Sequence, residues 1–454
     1  MAQTKVMDLT EGPIMGKLIR FTVPIVLGNL LQQLYTAADR IVVGQFAADG
    51  AGALAAIGAT ASAINLLIGL FVGIATGTNV ICANLLGAHN IKDLRKSMHT
   101  SVLVGILCGV GMLLVGVLTA PLILGWMDTP ASISPSATMY MQIYFLGVPA
   151  SLVYNIGAGI LRSYGDTKRP MFILILSGLV NVVLNVVLVL GFHMDVAGVA
   201  IATVVSLYAS AGAIWWILFN KKDQYRLSVK GLSIDKTQLM AVIRVGVPSG
   251  LGSVVFSASN VILQSAVNSF DNAAIIAGKT AANDINVLIY QIEAGLLAAC
   301  VSFSGQCYGA KKLDRIGKVA TTATALSFVA TAVLVLPCVL FSRQVIGLFN
   351  SDPEVMEYGS TLQKILNVGM LIYLPAETYL GCSRGMRRAL TPTLLNIAAI
   401  CGTRILWLLL VFPNHHTIEA LYYCYPASWA VSSVMQVAYF YSARKKEMKS
   451  LNQA

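Results

Sequence analysis

Apolar positions in this chain gather into long blocks separated by short polar breaks. Each block is close to the roughly 20 residues that a helix needs to cross a bilayer. Twelve spans are predicted, near 17–44, 53–81, 98–124, 136–160, 170–192, 197–219, 240–269, 274–304, 318–341, 357–383, 392–412 and 419–442. The breaks are too short for a soluble domain. The longest, 220–238, joins the sixth span to the seventh and is expected to separate an N-terminal lobe, 1–219, from a C-terminal lobe, 239–454. The expected fold is an all-α polytopic membrane protein.

The pattern repeats. Val23-Pro24 with Leu27-Gly28 recurs as Val247-Pro248 with Leu251-Gly252, and Phe46 recurs as Phe270, a shift of 224. Gly87-Ala88 recurs as Gly309-Ala310, and Arg162 with Pro170 recurs as Arg384 with Pro392, a shift of 222. Gly, Val and Leu matches arise readily in so apolar a chain, but matched Arg and Pro at one shift do not. Six spans per half is an even number, so both halves enter the membrane in the same direction. The expected symmetry is a parallel repeat, with a pseudo-two-fold axis along the membrane normal.

Composition agrees: 56% of residues are hydrophobic, 11% are charged, and the mean hydropathy is +0.74. The net charge of +11 reads as a topology signal. Even-to-odd connections carry Lys92, Arg95 and Lys96, then Arg162, Lys168 and Arg169, and the 220–238 stretch adds Lys221, Lys222, Arg226, Lys230 and Lys236. The second half continues with Lys311, Lys312, Arg315 and Lys318, with Arg384, Arg387 and Arg388, and with the C-terminal tail. Odd-to-even connections carry Asp49, Asp128, Asp195, Asp271, Asp352 and Glu354, with Arg343 as the exception. Basic loops stay inside, so both termini are expected in the cytoplasm. Cations spread over six short segments do not make a nucleic-acid surface. Met1 to Pro13 is too polar for a signal-peptide core, so the first span is expected to remain as an anchor.

The eight cysteines form no C-x-x-C pair and are expected to be small buried hydrophobes. Histidines are scattered, and no G-x-x-x-x-G-K-S/T phosphate loop is present. No enzyme, no cofactor and no direct use of ATP are expected.

Charge inside a membrane costs about 2.5–3.5 kcal/mol per group on insertion scales, so each such residue needs a reason. In span one, Gln32, Tyr35 and Asp39 share a helix face. Arg40 is turned about 100° away and is placed to snorkel to the outer interface. Asn181 and Asn185 form an i,i+4 pair in span five, and Thr203 and Ser206 sit in span six. Taken alone these groups read as interhelical glue; beside Asp39 a cation or proton site becomes the better reading. In the second half, Asn260, Gln264 and Asn268 make a stripe in span seven. Span eight carries Lys279, Asp284 and Glu293, span ten carries Lys364 and Glu377, and span eleven carries Arg404. Glu377 is a candidate partner for Arg404, and Lys279 for Asp284. Gly69, Gly73 and Gly77 at i,i+4,i+8 permit close helix packing, and six prolines at or within spans mark bends.

Three segments carry a resemblance: Asp39-Arg40-Ile41-Val42-Val43-Gly44-Gln45-Phe46, Gly157 through Pro170 with its Arg-Ser-Tyr-Gly-Asp-Thr-Lys-Arg-Pro ending, and Ser304-Gly305-Gln306-Cys307-Tyr308-Gly309-Ala310. On these the chain resembles the MATE family, the multidrug and toxic compound extrusion transporters, from about Leu9 to the end of span twelve. Arg384-Gly385-Met386 to Pro392 and Tyr425-Pro426-Ala427-Ser428-Trp429 look like a bacterial branch. The resemblance implies two six-helix lobes forming a V around a central cavity, in the bacterial cytoplasmic membrane, acting as a monomer. It implies exchange of H⁺ or Na⁺ for amphiphilic, mostly cationic small molecules. In the DinF-like branch, the N-lobe cation site uses positions that are Asp39, Asn181, Asn185 and Thr203 here, and the resemblance implies these same four as the site if Na⁺ is the coupling ion. The family's second acid is Asn185 in this chain, which leaves Asp39 as the one ionisable member. The NorM branch uses acids in spans seven and ten; here only span ten has one, Glu377. Gln32, Tyr35, Asn260, Gln264, Glu293, Glu377 and Arg404 are the candidate substrate-cavity residues. The alternatives are a lipid-linked precursor flippase, disfavoured by a single deep cation, Arg404, and a metabolite exporter of the same superfamily.

Overall fold

The structure, a computed structural model, describes residues 7–47, 49–220 and 226–453. Lys221 and Lys222 of the basic linker, and residues 1–6 of the polar N-terminal stretch, lie outside the described residues. Within those bounds the secondary structure is helical, with no strand. The elements are α1 (Ile14–Phe46), α2 (Gly50–Gly87), α3 (Ile91–Trp126), α4 (Ser134–Ser163), α5 (Lys168–Asn185), α6 (Asp195–Phe219), α7 (Lys236–Asn268), α8 (Ala273–Gly309) and α9 (Leu313–Leu340). The short α10 (Ser342–Gly347) follows, then α11 (Pro353–Gly385), α12 (Leu390–Ile397), α13 (Thr403–Leu410), α14 (Ile418–Tyr422) and α15 (Cys424–Gln453). A π-helical turn, Val186–Gly191, extends α5, and a second one, Ala398–Gly402, joins α12 to α13 into one span. Among the described residues, ten helices are long and apolar enough to cross a membrane. The thirty-residue α15 is not among them: even ahead of its basic tail it carries Ser, Tyr, Pro and Gln among its apolar residues.

The sequence repeat is also a repeat of helix boundaries. First residues recur at a shift of 222 from Ile14 to Lys236, from Ile91 to Leu313 and from Lys168 to Leu390. The terminating residues recur too: His89 and Lys311 both adopt positive φ just past α2 and α8, and Gly165 and Arg387 do so past α4 and α11. A residue in that conformation ends a helix and reverses the chain. Both halves therefore stop their helices in the same way at the same places.

The chain forms two compact units. Among the described residues, one comprises Leu27–Gly250 with Met7 and Asp8; the other comprises Leu9–Val26 with the residues from Leu251 on. The divisions fall inside α1 and α7, two residues past Pro24 and Pro248. The described part of the 220–238 linker goes with the first unit.

With no aqueous driving force between helices in lipid, packing depends on small residues that let backbones approach. In the first unit a Cβ on Gly73 would lie 2.3 Å from the Gly246 carbonyl oxygen, and one on Gly77 would lie 2.4 Å from that of Val242. These two glycines are where α2 receives the first part of α7. Gly116 makes the slot for the ring of Phe145, at the centre of a core with Met141, Leu152 and Val199. In the second unit, Gly278 meets the backbone of Gly359, and Gly381 and Gly385 meet that of α8. Its core is aromatic, with Tyr373 5.7 Å from Trp429 and Phe21 edge-on to Phe303.

The segments preceding α1 and α7 are each strapped down. Ser228 N–H donates to His99 Nε2 at 3.1 Å, Asp235 N–H donates to Thr100 Oγ1 at 3.0 Å, and Lys96 pairs with Asp235 at 3.2 Å. In the second unit, Leu9 N–H donates to Gln306 Oε1 at 2.9 Å, and Arg315 donates to the carbonyls of Leu9, Glu11 and Gly12.

Candidate functional site

The first unit encloses a cavity of about 540 Å³ lined by α1, α2, α4, α5 and α6. From α1 it receives Gln32, Tyr35 and Asp39, the face that helical spacing places together, and also Arg40. Span four contributes Tyr140, Tyr144, Ser151, Tyr154 and Asn155. Those residues were legible as another polar stripe at helical spacing, although the search for ionisable groups passes over them.

Four candidate coupling residues form one hydrogen-bonded chain. Asn185 Nδ2 donates to the Asp39 carboxylate and is 3.3 Å from Asn181 Oδ1. Asn181 Nδ2 in turn reaches Thr203 Oγ1 at 3.5 Å, and that hydroxyl donates to the Val199 carbonyl at 2.9 Å. Asn185 is fully buried, and its own Oδ1 has no hydrogen-bond partner. A buried acceptor without a donor is costly, and beside a carboxylate it is suited to a small cation or to a donated proton. Immediately after Asn185 the helix widens into the π turn Val186–Gly191. Such turns interrupt the regular ladder and are frequent at functional sites. No periodicity argument reveals them.

The cavity walls mix apolar and polar side chains. Apolar side chains such as Ile57, Ile64 and Leu174 are present, but hydroxyls, amides and tyrosine rings dominate. Spans α1, α4, α5 and α6 turn polar side chains to the cavity, while α2 turns apolar ones, Ile57, Ala61 and Ile64.

The other candidates belong to the second unit. Glu293 has no exposed surface, and its two oxygens accept from Ser327 at 2.7 Å and Thr331 at 2.6 Å. Glu377 accepts from Tyr373 at 2.5 Å, and the basic group whose charge reaches it is Arg384. Arg404 bonds Ser259 and Asn260, and lies 4.4 Å over the ring of Tyr425. Glu377 and Arg404 thus have separate partners, not the mutual pair that the sequence suggested. Lys279 donates to Gln264, which donates to Asn268 at 2.7 Å. Ser327 and Thr331, again an i,i+4 pair, escape an inspection confined to charged residues.

The MatE family model matches residues 24–187 and again 248–409, once in each half. The chain belongs to the MatE family. The two matches start and stop at the shifts of the internal repeat, 224 and 222. Among MatE relatives, a probable multidrug resistance protein, YoeA of Bacillus subtilis (strain 168), is 28% identical over 94% of this chain and 93% of its own length. Probable multidrug resistance protein NorM of Thermotoga maritima is 25% identical over 86% and 84%. A solved structure of MATE in complex with MaL6 superposes with a TM-score of 0.90 over 99% of this chain and all of that one, at 22% identity. The fold is that of the MATE transporters: an all-α, multi-pass membrane protein of twelve spans in two six-helix lobes.

Proposed function

We propose that this MatE protein is a secondary active exporter of amphiphilic, mostly cationic or neutral compounds, working by alternating access in exchange for H⁺ or Na⁺. Its setting is the bacterial cytoplasmic membrane, with both termini inside. Relatives named for multidrug resistance over nearly their full lengths support export of such compounds. The observation that carries the coupling reading is Asp39: a carboxylate on the cavity wall, held by Asn185, whose remaining oxygen is buried and unpartnered.

A proton or Na⁺ reaching Asp39 removes its charge, and Asn181, Asn185 and Thr203 supply neutral oxygens and amides around it. The rings of Tyr35, Tyr140, Tyr144 and Tyr154 offer faces to a planar cation. One positive charge returning inward yields about 2.3 kcal/mol per 100 mV of membrane potential, so ATP is not required. The test is export of ethidium from energised cells. Ionophores that collapse both the proton and sodium gradients should stop it while ATP persists. Export that continues under those conditions would sink the antiport reading.

A further inference from the structure

Asp39 sits in a helix, α1, that is keyed to α5 one turn earlier. The Tyr35 hydroxyl donates to the Ile175 carbonyl at 3.2 Å, across the seam between the two helices. Residue 178, on α5, is glycine. A Cβ there would stand 1.8 Å from Tyr35 Cε2 and 2.2 Å from Cδ2 and Cζ, inside the ring. The tyrosine therefore fills the notch left by the missing side chain. Six residues beyond Ile175 and four before Asn185 is Asn181, so notch and coupling amides share one helix. A further close approach lies earlier on the seam, where a Cβ on Gly28 would meet Leu174 Cδ1 at 3.3 Å. Glycine in a helix interior is unfavourable relative to alanine, and at position 178 the seated ring explains its presence.

Resting on the coupling role proposed for Asp39, we infer that Gly178 and Tyr35 are positioning residues for the exchange: the ring in its notch fixes the distance at which Asn185 meets Asp39. Neither residue takes up the ion. A rigid ring has little freedom to adjust, and its hydroxyl bond to a backbone carbonyl fixes it further along the seam. A methyl at 178 forces the ring out, and Asp39, one turn on, moves with it. The charged and titratable groups that face Asp39 are few. Arg40 neighbours it on α1, and Tyr140 and Tyr144 face it from α4. Among the described cavity residues, α2 presents apolar side chains, while α5 and α6 present amides and hydroxyls beside apolar groups. The ion dependence of this site is thus set mainly by the geometry of Asp39 and Asn185, which the keyed ring controls.

The experiment measures ethidium transport in proteoliposomes against imposed pH and Na⁺ gradients, for Gly178→Ala, Tyr35→Ala, Asp39→Asn and a control. The control is Gly212→Ala in α6, where a Cβ meets nothing within 4 Å. Gly178→Ala should move the half-saturating H⁺ or Na⁺ concentration by about tenfold, the scale at which misplaced functional groups are felt. Because Tyr35 also lines the cavity, the KM for ethidium moves as well, so the readout is the ion dependence at saturating ethidium, and Gly212→Ala should match the wild type. Should Gly178→Ala fail to insert, Tyr35→Ala removes the spacer without a clash and should shift the same ion dependence. An unchanged ion dependence in whichever variant folds overturns the positioning role. If Asp39→Asn still exports with the gradient, the coupling reading itself has failed, and that outcome is separate.

Discussion

Asn185 occupies the position where the resemblance calls for a second acid, and that single difference defines this site. An amide cannot change charge near neutral pH; it only donates or accepts hydrogen bonds. It gives one donor to Asp39 and leaves an acceptor buried without a partner. Asn185→Asp would put a like charge beside Asp39. Two carboxylates sharing a site hold a proton more tightly than one does. The pH dependence of transport should therefore move to higher pH by on the order of one unit, read from initial rates over a pH series. An unmoved profile would reduce Asn185 to a packing role. At this scale the sequence was informative where chemistry is scarce: Asp39, Asn181, Asn185 and Thr203 stood out because polar groups in apolar spans need a reason. It was silent on partners. Nothing in one dimension says that Arg404 meets Asn260 and Tyr425, or that the slot at Gly178 belongs to Tyr35.

Most helix boundaries were legible to within about five residues because apolar runs and loop residues mark them. But α2 runs on to Gly87, α3 starts at Ile91 and α15 continues to Gln453, where polar helix ends extend past the apolar run. Two features within helices were not legible. The π turns Val186–Gly191 and Ala398–Gly402 shift the backbone ladder without any composition signal. The divisions past Pro24 and Pro248 depend on which neighbours each half-helix finds. The small-residue pattern, by contrast, translated directly: Gly73 and Gly77 are the positions at which α2 admits the backbone of α7. Gly77→Val would drive a branched side chain into the Val242 carbonyl. Overpacking of this kind costs about 1–3 kcal/mol. A lowered thermal midpoint in detergent should report it, whereas Gly111→Val on α3, where a Cβ meets nothing within 4 Å, should leave the midpoint unchanged.

Across the whole molecule, duplication organises what a local reading cannot. Three helix starts, the helix-ending positive-φ residues and both family matches recur at shifts of 222 to 224, so the two halves follow the same plan. The polar equipment is not duplicated. The first unit has a carboxylate–amide chain on an open cavity, while the second has two buried glutamates bonded by hydroxyls. The strap ahead of α7 adds a pH-dependent element outside the membrane. The Gln238 backbone N–H, and after it Lys96, hold the Asp235 carboxyl below its ordinary value of 3.8. A depressed carboxylate contributes stability that is complete above its unfolded pKa and is lost as pH falls through the lower, folded one. The strap should therefore be closed at neutral pH. Asp235→Ala should raise the rate of protease cleavage within 226–235 at pH 7, and an unchanged rate would show that the clamp does not hold.

The central claim is that Asp39 carries the coupling charge of an ion-driven exporter. Its most direct measurement is dye export by purified Asp39→Asn in proteoliposomes under imposed proton and sodium gradients, beside the wild type, with membrane insertion and dye binding verified for both. The account predicts gradient-driven export by the wild type and none by the variant, which still folds and binds dye. Export by Asp39→Asn at the wild-type rate under the same gradient would contradict it.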